Sequence, residues 1–198
     1  MDGALDHYRA PNARAVDKVI DHVDHFCARF IELSPFATLA TADADGFPDV
    51  SPRGGVPGFV RVLDRHTLLL PDREGNYRLD SLHNVEVNPR AALMFVVPGI
   101  EETLRVYGRC RLAAAADLAA HLDLVEFGKP PLSVLLMDVE RAYFHCAKAI
   151  MRAKLWDPGA QVHRSAFPPM GKVWREHTAA DSPAQPDHEM RAELAQEL

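Results

Sequence analysis

Two stretches of this chain double back on themselves within a few residues, and that spacing dictates how the chain can fold. Residues 36–41 alternate apolar and polar, Asp43-Ala44-Asp45-Gly46 makes a tight turn, and 47–51 return as the hairpin partner. Residues 59–63 and 67–70 repeat the pattern across Asp64-Arg65-His66. Strands joined so closely must pair antiparallel, because a parallel pair needs a crossover of about a dozen residues or more. Further strands follow at 91–97, 103–112 and 134–137, with Ala142-Tyr143-Phe144 beyond. Along 103–112, Leu104, Val106, Gly108, Cys110 and Leu112 face one way, and Arg105, Tyr107, Arg109 and Arg111 the other. The expectation is six or seven short strands in a mainly antiparallel sheet or barrel with helices inserted.

The clearest predicted helix spans 15–33, where Val16, Val19, Ile20, Val23, Phe26, Cys27, Phe30 and Ile31 recur at three- and four-residue steps. His22, His25 and Asp21 lie off that stripe, and no third strong ligand accompanies the two histidines, so no metal site is expected. An alanine-rich helix is predicted over 113–127, another helix over 146–155, and a short terminal one from Glu189.

The stretch 71–99, PDREGNYRLDSLHNVEVNPRAALMFVVPG, turns through Gly75-Asn76, becomes helical through Leu79, Leu82 and Val85, and stops at Asn88-Pro89. Arg73, Asn76, Arg78, Ser81 and Asn84 place forked cations, amide donors and a hydroxyl around a helix start, which is chemistry suited to a phosphate or to simple capping. The preceding Ser51-Pro52-Arg53-Gly54-Gly55 is either a loop between strands or a backbone that lets a flat or anionic ligand approach.

No run of about 18 apolar residues marks a membrane span, and no secretory signal is evident at the N-terminus. Three widely separated cysteines, Cys27, Cys110 and Cys146, suggest reduced thiols in a cytoplasmic protein. The net charge of -6 is uneven: from Arg141 to His177 seven Lys/Arg stand against two acids, a local +5. Such a segment can meet a small anionic ligand. An acidic chain without a basic-aromatic ladder does not favour nucleic acid. G-x-G-x-x-G, the P-loop, H-E-x-x-H, C-x-x-C and G-x-S-x-G are all absent. What remains suits a cofactor whose own chemistry carries the hard step.

The motifs S-P-R-G-G, P-D-R-x-G-N-x-R-x-D-S-L-x-N, N-P-R and E-T-L-R-V-x-G, with the later YFHCAKAIMRAKLWDP, together resemble a bacterial branch of the pyridoxamine 5'-phosphate oxidase-like superfamily. The resemblance runs from Phe36 to about Pro158. It implies a mainly β, split antiparallel β-barrel of the FMN-binding type with flanking helices: an N-terminal helical segment (1–35), the barrel domain (36–158) and a partly flexible C-terminal extension (159–198). It further implies a homodimer with FMN at the subunit interface. Ser51, Arg53 and Gly54 on one side, and Asn76, Arg78, Ser81 and Asn84 on the other, match the positions that hold the FMN phosphate. Thr103, next to Arg105, matches a position near the flavin ring. His145, Lys148, Arg152 and Trp156 match the C-terminal part that covers flavin or substrate.

The founding enzymes' Arg-Lys pair at the phosphate loop is replaced here by Asn76, Arg78 and Ser81, and their C-terminal clamp for pyridoxal phosphate is not recognisable. The resemblance therefore implies an FMN-dependent oxidoreductase acting on another small molecule, with no catalytic residue assigned. The alternatives are a flavin or haem carrier or sensor, with His145 and His163 as candidate haem ligands, and a deazaflavin-dependent reductase.

Overall fold

The computed structural model describes residues 3, 5–119, 121–178 and 184–197. Its centre is a seven-stranded antiparallel sheet in the order β2-β1-β5-β6-β7-β4-β3. The strands are β1 (Phe36–Ala42), β2 (Pro48–Gly54), β3 (Arg61–Asp64), β4 (Thr67–Asp72), β5 (Arg90–Val96), β6 (Thr103–Ala114) and β7 (Ser133–His145). Both predicted hairpins form, as β1–β2 and β3–β4. The two end strands, β2 and β3, are not hydrogen-bonded to each other. The fold is thus a split antiparallel β-barrel with flanking helices, as expected.

The alternation along β1, β5 and β6 buries Ala37, Leu39, Leu93, Phe95, Leu104 and Val106 on one face. The opposite, outer face carries the half-exposed Thr38, Met94, Arg105 and Tyr107. β4 and β7 read instead as continuous apolar runs, because Leu69, Val134 and Leu136 enter a second cluster with Ala115 and Leu124. These strands are covered on both sides.

Two helix expectations are corrected. The predicted helix over 15–33 is two helices, α1 (Ala13–Asp17) and α2 (His25–Leu33). Between them Ile20 forms an isolated bridge with Ala142. β4 covers β7 only as far as Asp138, so Ala142 presents a free edge that Ile20 fills. Asp24 then caps α2 by accepting the Cys27 amide at 2.8 Å. The predicted alanine helix over 113–127 shrinks to α4 (Ala115–Ala119), since β6 pairs with β7 up to Ala114. Ladder pairing overrides alanine's helical preference there.

The remaining helices are α3 (Asp80–Val87), α5 (Lys148–Ala153), α6 (Met170–Thr178) and α7 (Asp187–Glu197). The sequence had not indicated α6. Among the described residues, no helix is long and apolar enough to cross a membrane.

Candidate functional site

The two ends of the sheet approach each other through side chains. Arg53 on β2 reaches Asp72 on β4, with Nη1 donating to Oδ1 at 2.5 Å. Around this pair lies a cavity of about 490 Å³, lined by β2, the end of β4 and the loop into α3. Asp49, Ser51 and Arg53 alternate along β2 and all enter it, as the two-residue period of a strand requires.

The opposite wall is built by an unusual connection. Tyr77 and Leu79 both take left-handed backbone conformations, with φ of 56° and 55°. Such conformations are unfavourable for L-residues and concentrate where a segment is held for a purpose. Asn76 accepts the Arg78 amide at 3.2 Å, so its side chain shapes the turn. Arg78 pairs with Asp80 at 2.7 Å while remaining largely exposed. No side chain caps α3, so its first amides have no side-chain acceptor, and Asp80 and Ser81 at that start line the cavity.

A chain of hydrogen bonds links the walls. Arg53 Nε donates to Ser51 Oγ at 3.1 Å, and Ser51 and Ser81 share a bond of the same length. Ser81 donates to Asp49 at 2.7 Å. Asn84 donates to Thr41 at 3.1 Å and therefore lies at the back of this network, outside the cavity lining. A guanidinium fork, an uncapped helix start and two hydroxyls, whose protons now go to Asp49 and to each other, form a donor set that fits a phosphate taking the place of Asp49.

The acids are the part that sequence reasoning missed. Asp49, Asp72, Glu74 and Asp80 line the cavity beside Arg53, Arg73 and Arg78. Each arginine already has a carboxylate partner, Arg73 with the buried Glu126 at 3.4 Å. Glu126 Oε2 makes that ion pair without a hydrogen bond. A phosphate in this cleft must therefore recruit cations away from internal acids. The sequence did carry a signal for Asp49, which shares a strand face with Ser51 and Arg53.

Gly54 lines the cavity. Gly55 serves packing instead, since a Cβ there would come within 2.6 Å of Phe59 and 2.8 Å of Glu126.

The other expected residues lie elsewhere. Thr103 pairs with Val96 and His145 across the sheet, and Arg105 is on the outer face with Tyr107 and Tyr143. Neither lines the cleft of its own chain. His145 stands beside this cluster. Burial, with the charges of Arg105 and Lys18, holds its pKa below the usual histidine value. Lys148 and Arg152 are exposed on α5. Trp156 donates its indole N–H to the Ile100 carbonyl at 2.8 Å, tying the segment after α5 to the β5–β6 turn. His163 is exposed and bonds to Ser165. Among the described residues, no group of three His, Cys, Asp or Glu side chains could hold a metal ion.

Comparison with solved structures finds HupZ of Group A Streptococcus, at 20% identity over 62% of this chain and 93% of that one, with a TM-score of 0.45. A candidate pyridoxamine 5'-phosphate oxidase from Lactobacillus delbrueckii matches at 20% identity over 63% and 99%, with a TM-score of 0.46. An F420 reductase matches at 20% identity over 59% and 94%, with a TM-score of 0.42. No curated protein matches the sequence. Residues 23–146 match the family model for pyridoxamine 5'-phosphate oxidase, which includes every strand of the sheet and both walls of the cleft. The chain belongs to the pyridoxamine 5'-phosphate oxidase family.

Proposed function

We propose that this protein is an FMN-dependent oxidoreductase acting on a small molecule in the cytoplasm, with FMN held at the interface of a homodimer. The observation that carries the reading is the Ser51–Ser81–Arg53 cluster at the uncapped start of α3. Ser51, Ser81 and Arg53 would hold the phosphate, and Arg78, most of it open to solvent, would turn from Asp80 to join them. When bound, FMN supplies a hydride acceptor of its own, and the protein's task is to anchor and orient it.

The homodimer reconciles the expected site residues with their placement. Thr103 and Arg105 are on the sheet and outside the cleft of their own chain, so they serve one cofactor only if a second copy brings them to it. The exposed Phe36 and Val50 offer such a partner apolar surface at the β1–β2 edge of the sheet.

The test is an absorbance scan of the freshly purified protein, followed by release and identification of any cofactor. A flavin spectrum with FMN released supports the reading; released haem or deazaflavin replaces it. In an FMN titration, Arg78→Ala should weaken binding by about 1.5–3 kcal/mol, the scale of a charged hydrogen bond. An unchanged affinity would remove Arg78 from the phosphate site and leave it as the surface partner of Asp80.

A further inference from the structure

The outer face of the sheet carries a cluster that the cleft does not use. Tyr107 and Tyr143 stack with ring centroids 5.8 Å apart and planes 11° from parallel, and their hydroxyls are 3.1 Å apart. Arg105 Nη1 donates to both hydroxyls, at 3.4 Å to Tyr107 and 3.2 Å to Tyr143. Lys18 lies 5.5 Å from the Tyr143 ring centre and donates to the Phe144 carbonyl at 2.7 Å.

The donors and acceptors do not balance. Each phenol has one proton, and the pair can use only one of them between its own oxygens. Arg105 spends one nitrogen on the phenols, leaving Nε and Nη2, and Lys18 spends one of three protons. Among the described residues, no carboxylate pairs with Arg105 or Lys18. Two positive charges and at least one phenolic proton therefore converge with no anion to meet them. A half-buried guanidinium in that state gains from a planar acceptor that can take its fork side-on.

We propose that Arg105, Lys18, Tyr107 and Tyr143 form a binding site for a small carboxylate whose apolar body lies against the stacked tyrosines. As an assignment of substrate class, an acidic substrate held on the outer face, this rests on the dimeric flavin reading; the carboxylate site itself does not. The neighbouring groups act on the two phenols in opposite directions. Burial works to raise the Tyr143 pKa, but hydrogen bonds with Tyr107 and Arg105 and the Arg105 and Lys18 charges outweigh it and bring it below the ordinary value. Burial and the bond to Tyr143 raise Tyr107. Whichever hydroxyl donates to the other, the pair shares one bond and one phenolic proton stays available for a carboxylate oxygen.

The test is calorimetric titration with benzoate at fixed ionic strength, with inorganic phosphate as a parallel arm. Saturable benzoate binding is expected, weakened roughly tenfold or more in Arg105→Met, as loss of a charged hydrogen bond implies. Lys18→Met and Tyr143→Phe should weaken it roughly threefold or more, while Arg111→Met, at an exposed position further along β6, should leave it unchanged. Circular dichroism checks each fold, and Tyr143→Phe keeps the test alive if Arg105→Met does not fold.

Absence of saturable benzoate binding in the folded protein overturns the proposal, as does equal affinity in wild type and folded Arg105→Met. Phosphate binding as tightly as benzoate, and weakened alike by Arg105→Met, overturns the carboxylate assignment; phosphate binding untouched by that variant belongs to the cleft and leaves the assignment standing. So does dissociation of a dimer by Arg105→Met without benzoate binding in the wild type, since the cluster's anion would then belong to the second copy. FMN titration is run separately: lost FMN binding with benzoate binding intact defeats the flavin reading alone.

Discussion

Replacing Arg53 by Met should destabilise the protein through Asp72 more than through the lost arginine. Asp72 is only 7% exposed, and Arg53 is its ion-pair partner. Removing one member of a buried pair typically costs about 3–5 kcal/mol, because the survivor is left charged and unpaired. Here both side chains border an open cleft, with 19% and 10% of their surfaces exposed, so water reaches the stranded carboxylate in part. The expected loss is about 2–3 kcal/mol after that discount. Asp72→Asn should cost less, about 1 kcal/mol, since Arg53 keeps Ser51 and faces the cleft. The double variant should recover part of the Arg53→Met loss, giving a coupling of about 1–2 kcal/mol.

Urea unfolding of the cofactor-free protein measures all four corners of this cycle. The same pair makes a second prediction with the opposite sign. Asp72→Asn should tighten FMN binding roughly three- to thirtyfold, because the phosphate no longer competes with an internal carboxylate for Arg53. Arg53→Met within about 0.5 kcal/mol of wild type, or weaker FMN binding in Asp72→Asn, would refute the argument.

Gly108→Ala should cost about 3 kcal/mol in the same assay, because a Cβ there would land on the Asp138 carbonyl oxygen of the adjoining strand. Ellman's reagent should find one fast thiol in the native protein, Cys146, and three after unfolding. Burial pushes the Cys27 and Cys110 thiols up to about 12, so neither supplies thiolate at pH 8. His145 should titrate below 6.5 when followed by NMR, and Lys18→Met should raise its midpoint. Its folded pKa lies below the unfolded one, so its contribution to stability is full above pH 6.5 and is lost as the pH falls through the folded value. A midpoint at or above 6.5 would contradict that account of its surroundings.

The strands were legible because hairpin turns and two-residue alternation are local signals, and both survive in β1–β2 and β3–β4. The helix over 15–33 was misread because its apolar period continues through Ile20, which serves a strand edge on β7 instead. Nothing local announces a free edge more than a hundred residues away. The gathering of hydroxyls and arginines around one helix start was legible, but their internal carboxylate partners were not. Asp72 reads as a strand end until β2 is placed across from it. The split between cleft and outer face was half visible. Alternation separated Arg105 from Leu104 and Val106, yet only the approach of β2 to the end of β4 shows that Ser51 and Arg53 share a cavity that Thr103 does not enter.

The open seam between the ends of the sheet turns any ligand of the cleft into a clasp. Ser51 and Arg53 belong to one end of the hydrogen-bonded ladder, while Arg78 and Ser81 follow the strand near the other. A molecule gripping both would tie together segments that no backbone bond joins. Its binding energy would then appear as resistance to opening: unfolding would require its release, and stability would rise with its concentration as RT ln(1 + [L]/Kd). The protection should be uneven. Amide exchange should slow most along β2 and at the start of α3, and least in the β6–β7 ladder, which holds without help. A protein built this way reports its own occupancy through the stiffness of one seam.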